Sequence, residues 1–185
     1  PAFDGRTANL YNALFYTRKA GEIHQEVIDA VFHVEPPMSA AEQREAFQGA
    51  LADALDEAYQ VEIAQAVYER LNERIQAHKE NKDPEAPIIT PGEIGILREC
   101  GVAEEQVAAF QEQCAQQFGP GATLNPANLI DAGRFEVKTA DATISVPPER
   151  SYLVETRSID GRRYLLVPAE EAVEINGAPV RVPRN

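Results

Sequence analysis

Between Ser39 and Phe118 the apolar residues recur at intervals of three and four, whereas from Arg134 onward they alternate with polar ones. The first spacing keeps one face of a helix dry and the second keeps one face of a strand dry. The clearest helix lies in "MSAAEQREAFQGALADALDE", where Ser39 and Glu42 have capping-box spacing and Phe47, Ala50, Leu51, Ala54 and Leu55 form one stripe. A break near residues 56–60 separates it from "VEIAQAVYERLNERIQAHKE", in which Ile63, Val67, Leu71 and Ile75 stand four apart. Upstream, the pattern predicts two short helices. Thr7 caps the first and Gly21 stops it; the second sets Ile23, Val27, Ala30 and Val31 on one face and ends at Pro36-Pro37. After the charged stretch "HKENKDPEAP", Thr90-Pro91-Gly92-Glu93 is read as the start of a helix that stops at Gly101. The next helix ends at Gly119 with Val107, Phe110, Cys114 and Phe118 inward, and Asn125-Pro126 caps one more short turn.

Six strands are expected in the remainder, from "RFEVK", "TISV", "YLVETR", "RYLLV", "VEI" and "PVRV". Asp160-Gly161 and Asn176-Gly177 are two-residue type I′ turn signals, and a turn of that length fixes which residues face one another. The first sets Arg157 opposite Tyr164 and Thr156 opposite Leu165; the second sets Ile175 opposite Ala178 and Val173 opposite Val180. Pro179 lacks a donor, which makes the strand at Val180 an edge. The fold is thus expected to be α+β: a helical N-terminal portion, then a small, mainly antiparallel sheet whose central strands are covered on one side by helices. The expected organisation is a helical region over 1–80, a linker over 81–89, a helical hairpin and short turn over 90–131, and the β region over 132–185.

Charge refines this division. Residues 132–185 carry eight basic and eight acidic side chains; with 17 and 30 in the whole chain, the rest holds 9 and 22, so the entire net charge of -13 precedes the sheet. Such a surface repels a phosphate backbone and argues against nucleic acid as a partner. The helix-turn-helix shape of "ILRECGVAEEQVAAF" does not alter that, because its second helix carries no basic residue up to Phe118. Hydrophobic content of 44% with 25% charged residues fits a globular chain, and no apolar run approaches the roughly 18 residues of a membrane span. With no leader at the start, a cytoplasmic location is expected.

Cys100 and Cys114 are read as two small buried apolar residues, since their spacing suits neither a zinc site nor a redox pair. His24, His33 and His78 have no paired spacing, and no phosphate-binding or dinucleotide loop is present, so neither metal nor cofactor is expected. "RFEVK" carries Glu136 and Lys138 with Asp131 upstream, an acidic-x-Lys element of metal-dependent nucleases, but alternating charge on a solvent face explains it better. What remains is a polar strip on the sheet, Glu155, Arg157, Arg163 and Tyr164, as the candidate site for an anion or carboxylate.

"FEVKTADATISVPPERSYLVETRSIDGRRYLLVPAEEAVEINGAPVRV", with "PAFDGRTANLYNALFYTRKAGEI" and "AEQREAF", resembles the C-terminal half of an uncharacterised bacterial family, domain of unknown function 4317. "LVETRSIDGR" is the most specific part. The resemblance implies a longer cytoplasmic protein with a further N-terminal half, and it brings no activity, cofactor or catalytic residue. With no convergent catalytic set, the expected role is a non-catalytic protein-interaction or regulatory module with a basic partner surface. The alternative is a small-molecule, anion-binding or hydrolytic domain using the strip. The edge near Val180 offers a route to a homo-oligomer.

Overall fold

The computed structural model describes residues 38–82, 86–93, 95–170 and 173–183, together with positions 2–3, 13–14, 26, 30 and 31. Among these, β1 (Ala2–Phe3) pairs antiparallel with β2 (Ala13–Leu14), so two residues of the first expected helix are strand instead. Thr7 and Gly21, its expected cap and stop, lie outside the described residues. Positions 26, 30 and 31 are helical, in line with the second expected helix.

Helix α1 (Ala40–Leu55) starts where its capping box places it: Glu42 N–H donates to Ser39 Oγ at 3.3 Å and Ser39 N–H to Glu42 Oε2 at 2.7 Å. All five residues of its stripe are buried. A 3-10 turn (Asp56–Ala58) then reverses the chain through Asp56, whose φ of 45° is a conformation non-glycine residues seldom adopt, and leads into α2 (Val61–Asn81). Val67, Leu71 and Ile75 are buried there with Tyr68, while Ile63 is only half-buried.

The helix expected to open at Pro91 begins as a 3-10 turn (Pro91–Glu93), and only Ile96–Glu99 is α-helical, as α3. Gly92 and Gly95 fall within this start, and each costs about 1 kcal/mol relative to alanine in a helix. Gly101, at φ 77°, then turns the chain into α4 (Glu104–Phe118), and Arg98 clasps Glu104 across the corner through two bonds of 2.9 and 2.7 Å. The short helix α5 (Pro126–Leu129) is capped by Asn125, which accepts from Ala127 N–H at 3.0 Å.

Helix α1 packs on α4 and α5, and α2 on α3 and α5. Phe47 meets Phe110 edge-to-face with ring centres 5.7 Å apart, and Gln106 donates to the otherwise open Leu55 carbonyl at 2.8 Å. The core also takes in Ile89, which exchanges two backbone bonds of 2.9 and 2.8 Å with Leu124. The stretch read as a linker is therefore pinned at Ile89. Cys114 is buried in this core, but Cys100 is exposed, contrary to expectation. It ends a helix of one turn whose inward position is already filled by Leu97.

Six strands follow, as three separate antiparallel pairs and not one sheet: β3 (Phe135–Lys138) with β4 (Thr143–Val146), β5 (Glu155–Ile159) with β6 (Arg162–Leu166), and β7 (Val173–Ile175) with β8 (Ala178–Val180). Both expected registers hold, with Asp160-Gly161 and Asn176-Gly177 all at positive φ as type I′ turns require. The expected central strands are absent because Pro147-Pro148 launches a 3-10 turn (Pro148–Leu153) that carries the chain to α2 and buries Ser151 and Val154 there. Strand β5 is exposed throughout.

Candidate functional site

A broad cleft of about 1100 Å³ opens between the α1–α2 corner and the hairpins β3–β4 and β5–β6. Its helical wall is acidic, with Asp56, Glu57 and Glu62; its hairpin wall is basic, with Lys138, Arg157 and Arg163. Tyr59 and Tyr164 contribute rings on opposite sides. Two bonds to α2 set the position of the second hairpin. Thr156 Oγ1 donates to the Glu62 carboxylate, and buried Ser151 Oγ donates to Glu69 Oε1 at 2.6 Å. Glu62 and Glu69 are seven residues apart, two helical turns, so both present from one side of α2.

Three of the four residues expected in the polar strip line this cleft, and the fourth, Glu155, does not. Glu155 accepts from Arg157 at 3.0 Å, with the two side chains 52% and 63% exposed. At that exposure the pair is worth about 0–1 kcal/mol. Tyr164 lies directly across the ladder from Arg157, so the two share a face. Arg163 pairs with Ser158 and projects from the other face. The three that line the cleft thus come from both faces of the β5–β6 hairpin.

The Glu136–Lys138 element sits at the edge of the same region. Lys138 Nζ lies 2.8 Å from Glu136 Oε1, and Arg134 reaches Asp131 at 3.3 Å and Glu136 at 3.8 Å. The Lys138 hydrogen bond, followed by the charge of Arg134, holds the Glu136 carboxyl below the usual carboxylate range. Both acids are thus engaged by cations, and no group of three potential metal-ligating side chains occurs among the described residues. His24 and His33 lie outside those residues. No described helix is long and apolar enough to cross a membrane.

Asp56, Glu57, Glu62 and Glu69 are the site residues that the sequence reading missed. The only signal for the last two is their two-turn spacing beside the apolar stripe of α2, a pattern any solvated helix face shows.

Fold and cleft together define a small α+β domain, a helical core carrying hairpins around an ionic groove. The chain belongs to the family described as domain of unknown function DUF4317, whose match spans residues 1–178. No curated protein and no solved structure matches it.

Proposed function

We propose that the domain is a non-catalytic protein-interaction module of a bacterial cytoplasmic protein, and that the cleft receives an extended, basic segment of a protein partner. The carrying observation is the split of charge across the cleft, with Asp56 and Glu57 of the 3-10 turn and Glu62 of α2 on one wall and the exposed β5–β6 ribbon opposite. The ribbon adds Ile159 and Tyr164, both large and at least 40% exposed, as apolar anchors. Aromatic anchors in a polar surround are what protein interfaces select. The breadth of the cleft, about 1100 Å³, and the position of Glu155 outside it support this over a small-ligand site, which needs polar groups converging on one point. A net charge of -13 speeds encounter with a basic partner and makes it salt-sensitive.

Fluorescence anisotropy tests the reading, using labelled peptides that alternate Lys or Arg with Leu or Val and matched peptides with Asp or Glu in place of the bases. The basic series is expected to bind, with affinity falling as salt is raised. Glu57→Lys and Tyr164→Ser should each weaken it by about tenfold, or about 1.4 kcal/mol. Equal binding of both series, or indifference to both substitutions, removes the proposal.

A further inference from the structure

A second cavity, of about 310 Å³, lies between α1, α2 and the start of β3, on the other side of Tyr59 from the cleft. Its apolar wall is built by Phe47, Leu51, Val67 and Leu129, all buried. Its polar side carries Arg44. Among the described residues, Arg44 is the only half-buried Lys or Arg without a carboxylate within ion-pair range, since half-buried Arg70 pairs with Glu73 and Glu99. Arg44 Nη2 donates to the Ile130 carbonyl at 3.1 Å, and Arg44 Nε is the one buried side-chain nitrogen or oxygen among those residues with no hydrogen-bond partner. A partly buried guanidinium left without a counter-charge is unfavourable, which is why such groups are ordinarily paired.

The neighbouring acid does not supply that charge. Asp131 Oδ1 accepts from Gly133 N–H at 2.9 Å and Oδ2 faces Arg134 at 3.3 Å, while Tyr68 Oη holds the Asp131 carbonyl at 3.0 Å. Asp131 and Glu136 are engaged by Arg134 and by Lys138, which lies outside the pocket, and this leaves Arg44 as the pocket's cation without an ion-pair partner.

We propose that this pocket binds a small monocarboxylic acid with an apolar tail, its carboxylate on the Arg44 guanidinium and its tail along the half-buried Tyr59 and Ala64, which line the pocket over the buried Phe47, Leu51 and Val67. A carboxylate matches the planar fork of arginine, and the volume is at the lower end for small-ligand sites. A dianion such as phosphate is disfavoured, because Arg44 is the one cation here without an ion-pair partner and the buried wall of Phe47, Leu51, Val67 and Leu129 gives a second charge no donor. The site is distinct from the peptide cleft and does not depend on that reading.

Isothermal calorimetry on the full chain, with hexanoate, hexanamide and inorganic phosphate as probes, decides the matter. Hexanoate is expected to bind at least tenfold more tightly than the neutral amide, which has the same shape, and phosphate is expected not to compete. Arg44→Gln should weaken hexanoate by more than tenfold, with Arg44→Lys recovering part of the loss. Ala64→Leu, which keeps a good helix former on α2 and fills the cavity, should abolish binding while leaving the circular dichroism spectrum intact, and it decides the case if Arg44→Gln does not fold. Equal affinity for acid and amide, competition by phosphate at matched concentration, or undiminished binding by Ala64→Leu overturns the assignment.

Discussion

The two cysteines show how much one position's surroundings change the same side chain. Burial pushes the Cys114 thiol up to about 12, whereas Cys100 sits exposed at the end of α3, raised to a smaller degree by desolvation and by Glu99. An elevated folded-state value means that the neutral thiol is favoured by folding. Cys114 therefore contributes stability that is whole below the ordinary thiol range and is lost as pH rises from about 8.5 toward 12. One thiol, Cys100, should react with a disulfide reagent in the native protein, and the second only in denaturant. Cys114→Ala should react with one equivalent in both states and show a shallower alkaline decline of the thermal midpoint. Rapid reaction of two equivalents under native conditions contradicts the packing. The sequence placed Cys114 correctly because it shares a helical face with Val107 and Phe110. It misplaced Cys100, because a helix of one turn has too few residues for a face to be read.

At the scale of elements, local chemistry was legible and its interruptions were not. Ser39 with Glu42, Gly101, Asn125 and the two Xaa-Gly turns each act over a few residues, and each sets its structure where the pattern places it. The sheet was over-read, since alternation within strands says nothing about which strands join, and the 3-10 turn beginning at Pro148 has no periodic signature. This contrast predicts opposite signs for two glycine substitutions. Gly161 has a φ of 76° and Gly49 lies within α1 without a positive φ, yet an added Cβ meets nothing within 4 Å at either place. Backbone preference alone then decides. Gly161→Ala should destabilise by about 1–2 kcal/mol, or selectively raise amide exchange across the Arg157–Tyr164 pair if the hairpin opens by itself. Gly49→Ala should stabilise by about 0.5–1 kcal/mol. Urea midpoints with local exchange rates check both, and a stabilising Gly161→Ala refutes the type I′ geometry.

Across the whole molecule, the helical core and the hairpins are joined through residues distant in the chain. Tyr68 stacks obliquely on Phe135 at 5.0 Å, Val154 enters the core, and the bonds Ser151–Glu69 and Thr156–Glu62 span 82 and 94 positions. No pattern within either segment announces such a pair, which is why the candidate site was legible as a strip on one hairpin and not as a cleft against α2. The two bonds differ in surroundings. Ser151 is 2% exposed and Glu69 half-buried, whereas Thr156 and Glu62 are both exposed and water can replace either partner. Ser151→Ala should thus cost about 1.5–3 kcal/mol, the range for a hydrogen bond to a charged group, because it leaves the part-buried Glu69 Oε1 to the longer 3.5 Å bond from Gln65. Thr156→Val should cost less than about 0.5 kcal/mol, as surface changes do. If the Ser151–Glu69 bond is the main fastening, Glu69→Gln with Ser151→Ala will be less than additive, since each change removes the same interaction. Guanidinium unfolding of the four variants and the parent protein, followed by far-ultraviolet dichroism and by Tyr fluorescence, measures this. Additive costs, or a larger loss from Thr156→Val, would place the fastening at the cleft-side bond instead, and the acidic wall would then owe its position to Glu62.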